Sequence, residues 1–265
     1  MPPKNSLQRL NELGQSVWID YLSRDLLESG ELARLVAEDA VVGVTSNPTI
    51  FQQALAGGDA YDEQIRTLLT SGLGPKEIFL ELACADVAAA CDLLLPVWER
   101  TDHLDGYVSI EVDPNFAYNT AAQYEEAQRL HERIARPNLY VKIPATRGGV
   151  AAIEDSIAAG RSINVTLIFS IDRYVEVARA YMKGLARFRA AGGDVSTVHS
   201  VASFFVSRVD TETDRRLDAL DAPAELRGRL GIANAKLAYG RYRAMFSPEN
   251  PLWAELAAAG AQPQR

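Results

Sequence analysis

NLYVKIPAT, residues 138–146, is an apolar run interrupted by one lysine. Side chains alternate along a strand, so Leu139, Val141 and Ile143 share one face, and Tyr140 and Lys142 share the other. If both faces are covered, Lys142 points into a protein interior, where an uncompensated charge is costly. The fold therefore turns on what lies over the second face.

Working outward, five more segments read as strands: SVWIDYL (16–22), VVGVTSN (41–47), YVSIEVD (107–113), SINVTLIFS (162–170) and HSVASFFVSR (199–208). Several repeat the two-faced pattern. Val108, Ile110 and Val112 alternate with Tyr107, Ser109, Glu111 and Asp113. Ile163, Val165, Leu167 and Phe169 alternate with Asn164, Thr166, Ile168 and Ser170. Val17 and Ile19 face away from Trp18 and Asp20. A half-solvated antiparallel sheet would also alternate. Amphipathic helical segments such as SRDLLESGELARLVAED, AAIEDSIAAGR and SIDRYVEVARAYMKGLARFRAAG separate the strands, however, and that order predicts βα units around a parallel sheet. The expected fold is α/β, a TIM-type (β/α)8 barrel, with only about six strands recognisable. In such barrels the polar residues at strand C-termini face the catalytic mouth. Residues 1–265 read as a single domain, with a helical insertion at about 51–106 that holds more than one helix.

Bulk properties narrow the function. The chain has 265 residues, 48% hydrophobic and 23% charged, with a formal net charge of −8. That charge argues against a nucleic-acid partner; an anionic sugar phosphate would have to be held by a few local basic groups. No apolar stretch reaches the roughly 18 residues of a membrane span, and MPPKNSLQRLNELG lacks the apolar centre of a secretory signal. Cys84 and Cys91 sit at helical spacing among alanines and read as buried apolar groups in a reducing cytoplasm. His103, His131 and His199 are widely spaced, so a histidine-built metal site is not expected. Neither GxGxxG after a strand nor GxxxxGK[ST] occurs, so nucleotide-binding readings are weak; no cofactor is expected.

The inward positions permit a specific chemistry. Burial disfavours the ammonium form of a lysine, and a neutral amine can attack a ketone to form a Schiff base. The iminium then draws electrons from the adjacent carbon–carbon bond. Such a reaction needs one acid/base for the water that leaves and one carboxylate for a hydroxyl proton. Glu111 and Asp20 are the inward carboxylates available, and Asn47, Asn164 and Thr166 could bond sugar hydroxyls. Each has a plainer reading. Lys142 alone could be an ion-paired structural lysine. Asn47 before Pro48 reads as a helix cap, and Arg208, past an apolar run, as a surface arginine.

GVTSNPTIF, SIEVDP, NLYVKIPAT, INVTLIFS and ASFFVSRVDTE, in this order over nearly the whole chain, resemble the transaldolase family, especially its longer bacterial form. That resemblance implies a metal-free barrel enzyme of the pentose phosphate pathway. Such enzymes move a dihydroxyacetone unit from sedoheptulose 7-phosphate or fructose 6-phosphate to an aldose phosphate. It makes Lys142 the Schiff-base residue, Glu111 the acid/base acting through a water, and Asp20 the group exchanging the C4-hydroxyl proton. Asn47 and Asn164 would orient the dihydroxyacetone moiety, Thr166 the water; Ser203 and Phe205 would line the channel, and Arg208 would bind phosphate.

The family's barrel has eight strands, and the last two are not visible before the chain stops at AQPQR. The sequence thus reads as C-terminally shortened, with bare edges expected on the first and sixth strands. A truncated chain, a native short form and strands supplied by another chain, including a homo-oligomer, all remain open. Two other functions stay beside the transferase: a class I aldolase or lyase using the same lysine, and an impaired barrel fragment acting as an assembly partner.

Overall fold

Both faces of the lysine-bearing strand are covered. In the computed structural model, which describes residues 4–265, Leu139, Val141 and Ile143 are buried, and so are Tyr140 and Lys142. Burial on both sides is the mark of a parallel strand under helices. Six strands, β1 (Val17–Ile19), β2 (Val41–Thr45), β3 (Tyr107–Glu111), β4 (Leu139–Pro144), β5 (Ile163–Ile168) and β6 (Ser200–Phe204), follow one another in the sheet in chain order. The pairs β1–β2, β2–β3 and β5–β6 are parallel. Helix α1 (Ser6–Glu12) precedes β1 and helices α2 (Arg24–Glu28) and α3 (Glu31–Glu38) follow it in the chain; α4 (Pro48–Ala56), α5 (Asp62–Thr70) and α6 (Pro75–Arg100) come between β2 and β3. Beyond β3 come α7 (Thr120–Ile134), α8 (Arg147–Ala158), α9 (Ile171–Ala190), α10 (Ser207–Ala219), α11 (Leu230–Met245) and α12 (Pro251–Ala258). This is an α/β chain of the TIM type with six strands, each followed by a helix.

The chain divides into two compact units. One runs through Glu111 and resumes at Arg129–Val141; the other comprises Val112–Gln128 and Lys142–Arg265.

In the first unit, the inner face of the strands begins with an aromatic layer. Tyr107 and Tyr140 stack with ring centroids 4.1 Å apart, and Trp18 lies 6.3 Å from Tyr140. Gly43 pairs with Trp18 in the β1–β2 register, and a methyl group at 43 would run into the indole. Only glycine leaves that ring its place. The outward residues Val44, Val108 and Val141 are fully buried, each contributing roughly 1.5–3 kcal/mol by removal from water. The expected insertion contains α5, α6 and most of α4. Tyr61, Ile78 and Leu82 form its small core, with Leu55, Ile65 and Leu68 packed against them.

In the second unit, α8 starts directly after β4. Thr146 caps it, its hydroxyl oxygen accepting from the Gly149 N–H at 2.9 Å. Gly149 itself abuts the Pro144 carbonyl, leaving no room for a methyl group. Gly149→Ala is expected to cost about 3 kcal/mol by overpacking, read as a lower denaturant midpoint at unchanged slope.

Three expectations need correction. The alternation in β5 does not run to its end: the β5–β6 register shifts between Val165 and Ile168, and Leu167 takes φ 61°. This bulge reverses the phase, so Ile168 is buried while Leu167 and Phe169 are exposed to solvent. The sixth strand stops at Phe204, and residues 207–219 are helical, so Arg208 belongs to α10. Finally, the outer side of β6 is not bare along its whole length. The Arg265 N–H donates to the Ser200 carbonyl at 3.1 Å, and the Ala202 N–H donates to the Arg265 carbonyl at 2.6 Å. That is a parallel bridge opposite Val201. Tyr181 Oη donating to the Gln262 carbonyl and Gln264 Nε2 donating to Ser200 Oγ, both at 2.8 Å, hold the segment there.

Among the described residues no helix is long and apolar enough to cross a membrane.

Candidate functional site

Three of the residues singled out from sequence lie in the first unit. Asp20 follows the last residue of β1 and is solvent-exposed. Asn47 follows β2 and caps α4, its Oδ1 accepting from the Ile50 N–H at 3.0 Å with Pro48 at the first helical position. The cap reading is therefore correct. It leaves the Asn47 Nδ2 hydrogens as the donors suited to a ligand oxygen. Glu111 ends β3, half-buried. Asn47 and Glu111 are brought together on one cavity of about 30 Å³, walled also by Ser46, Phe51, Phe79 and Ile110. Ser46 Oγ donates to the Ser109 carbonyl at 2.9 Å, tying the end of β2 to β3. Phe51 and Phe79 meet edge to face, 6.3 Å between centroids, and make one wall apolar.

The second unit holds the other six. Lys142 is 8% exposed, and its carbonyl accepts from the Val112 N–H at 3.1 Å. Asn164 and Thr166, on β5, are buried on the same side of the strand. The Thr166 carbonyl accepts from the Ala145 N–H at 2.8 Å, so this end of β5 is tied to the segment leaving β4. Ser203 Oγ on β6 donates to Asn164 Oδ1 at 2.9 Å, which fixes the carboxamide and directs its NH₂ elsewhere. Phe205 stands between two partners. Its ring centroid lies 5.1 Å from that of Phe169, and the Arg208 guanidinium carbon sits 4.7 Å from its centre. Arg208 is the second residue of α10, whose first turn has no side-chain cap. Uncapped amide donors and a guanidinium together suit a phosphate.

Sequence reasoning passed over Arg24, Tyr61 and Asp86, which form a hydrogen-bonded ring next to the β1–α2 connection. A signal was present: Asp86 lies amid the apolar residues of ELACADVAAACDLLLP and is 2% exposed. A buried carboxylate requires a partner. Among the described residues no group of three or more His, Cys, Asp or Glu side chains is placed to hold a metal ion.

Parallel strands each followed by a helix, with Asp20, Asn47 and Glu111 at or just beyond the C-terminal ends of β1, β2 and β3, define an α/β enzyme of the TIM type. Residues 17–258 match the family model described as transaldolase/fructose-6-phosphate aldolase. The chain is 51% identical over 261 residues to the transaldolase of Thermobifida fusca, covering 98% of this chain and 70% of that protein. It is 49% identical over 262 residues to a transaldolase of Mycobacterium tuberculosis and 48% over 263 residues to transaldolase 2 of Streptomyces coelicolor, at the same coverage. The chain belongs to the transaldolase/fructose-6-phosphate aldolase family.

Proposed function

We propose that the protein is a transaldolase that moves a dihydroxyacetone unit between sugar phosphates through a Schiff base on Lys142. The observation that carries this reading is a lysine at 8% exposure on β4 of a chain belonging to this family. The neutral Nζ adds to the C2 carbonyl of the ketose phosphate, and the carbinolamine loses water to give the iminium. Glu111 passes the protons for that step through a water. The Asp20 carboxylate then takes the C4-hydroxyl proton. The C3–C4 bond breaks, its electron pair moves into the iminium as an enamine, and the aldose phosphate leaves. In the return half-reaction the enamine carbon attacks the acceptor's aldehyde, Asp20 returns the proton, and water releases the product.

The amide groups supply orientation. Asn47, with its oxygen occupied by the α4 cap, donates through Nδ2; Asn164, with Oδ1 held by Ser203, does likewise. Thr166 holds the water used by Glu111. Phe205 supports Arg208, which with the first turn of α10 binds the phosphate. Ser203→Ala removes the hydroxyl that bonds Asn164 Oδ1, and KM is expected to rise about fivefold, the equivalent of one ordinary hydrogen bond. Steady-state kinetics checks it. Cys84 and Cys91, buried and outside any disulfide, fit a reducing, cytoplasmic setting.

The family description also covers aldolases, which release the three-carbon unit to water. Acceptor dependence separates the two. With fructose 6-phosphate alone, a transaldolase gives one burst of three-carbon aldose phosphate, stoichiometric with enzyme, and turns over only when a four-carbon aldose phosphate is added. Continuous acceptor-free turnover at the same rate would assign the aldolase activity instead.

A further inference from the structure

Strand β1 spans only Val17–Ile19, and its register with β2 shifts after the first residue. So short a strand gives little hold on Asp20, the next residue along. The connector Tyr21–Ser23 must therefore be anchored from its far end, where α2 begins.

That anchor is a closed ring of hydrogen bonds within the first unit. The backbone N–H of Arg24, first residue of α2, donates to Tyr61 Oη at 2.9 Å. Tyr61 Oη donates to Asp86 Oδ2 at 2.7 Å. Asp86 Oδ1 accepts from Arg24 Nε at 2.9 Å and Nη2 at 2.7 Å, returning to the residue where the ring began. The Arg24 guanidinium carbon also lies 4.7 Å from the Tyr61 ring centre. Burial, then the bond to Asp86, pushes the Tyr61 phenol up, so it stays a donor. Ser23, 3% exposed, accepts from the Leu26 N–H at 3.2 Å, and Leu22 is fully buried. Two of the orphan N–H groups of α2 are thus satisfied by side chains, one of them from across the insertion.

We propose that Arg24, Tyr61 and Asp86 are positioning residues for Asp20: the ring fixes the β1–α2 connector and so sets where the Asp20 carboxylate stands when it takes the C4-hydroxyl proton. The proposal rests on the Schiff-base reading above. Schiff-base formation on Lys142 does not need Asp20, whereas carbon–carbon cleavage does. Loosening the ring therefore slows cleavage and leaves imine formation intact. Misplacement of a catalytic group by about 1 Å costs roughly 100-fold, and losing one bond of a ring costs part of that.

The test is borohydride trapping with fructose 6-phosphate, followed by the mass of the Lys142 adduct, in the full chain and in Tyr61→Phe, Arg24→Lys and Arg24→Met. In the full chain the three-carbon adduct dominates. Tyr61→Phe is expected to lower kcat about tenfold at unchanged KM and to make the uncleaved six-carbon adduct dominant. Arg24→Lys, which keeps a charge opposite Asp86, falls between Arg24→Met and the unsubstituted protein. An unchanged ratio of six- to three-carbon adduct overturns the proposal, including the case where activity falls only in step with the folded fraction. Absence of any adduct in the unsubstituted protein is a different result, which removes the Schiff-base reading and this proposal with it.

Discussion

Lys142→Ala is expected to lower the rate of three-carbon transfer by a factor on the order of 10⁴ or more, while the protein still folds. No other group in this chemistry can supply the covalent link, so loss of the amine removes the route rather than slowing a step. The side chain it replaces is nearly enclosed, at 8% exposed. Truncating this side chain need not destabilise the fold; the backbone bond from the Val112 N–H to the residue 142 carbonyl survives the change. Lys142→Arg should be as inactive as the alanine variant, because a guanidinium cannot be deprotonated to a nucleophile in proteins. Transfer assays beside thermal melts check both. Transfer by either variant within tenfold of the unsubstituted protein would falsify the role given to Lys142.

The second large effect is expected at Asp20. Asp20→Asn keeps the size of the side chain and removes its basicity, so kcat should fall about 10³-fold, within the range of a general base. The distinguishing sign is chemical. The imine still forms, the C3–C4 bond does not break, and reduction traps a six-carbon phosphate-bearing adduct. Glu111→Gln should behave differently, since water loss from the carbinolamine slows and the total adduct falls. If Asp20→Asn traps the three-carbon adduct as efficiently as the parent, the proton is taken by another group.

These expectations rest on features that were unevenly legible in the amino-acid order. The two-faced alternation in β3 and β4 is readable because it is local: each residue's face follows from its neighbours, and the stacking of Tyr107 on Tyr140, with Trp18 beside them, agrees with it. The order of strands and helices was readable for the same reason, and it sufficed for the α/β class. In β5 the pattern misled after Thr166, because Leu167 adopts φ 61° and the bulge shifts the phase by one. Nothing in INVTLIFS marks a left-handed leucine, since leucine has no preference for that region. The apolar run FFVS carries the strand pattern past the true end of β6 at Phe204, where the chain is already turning into α10. Asn47 was open to two readings, cap and ligand group. The cap uses one half of the amide and leaves the other half available. Least legible were the long-range pairings. The bond of Arg265 to β6 and the ring joining Arg24 to Asp86, 62 residues away, depend on packing that no local pattern encodes.

The most direct measurement is reduction with borohydride in the presence of fructose 6-phosphate, with digestion and mass mapping of the modified peptide. The Schiff-base account predicts a single three-carbon adduct carried by the peptide containing VKIPAT, on Lys142, and its complete absence from Lys142→Ala. An adduct on a different lysine, or none from folded protein that nonetheless transfers the three-carbon unit, contradicts it.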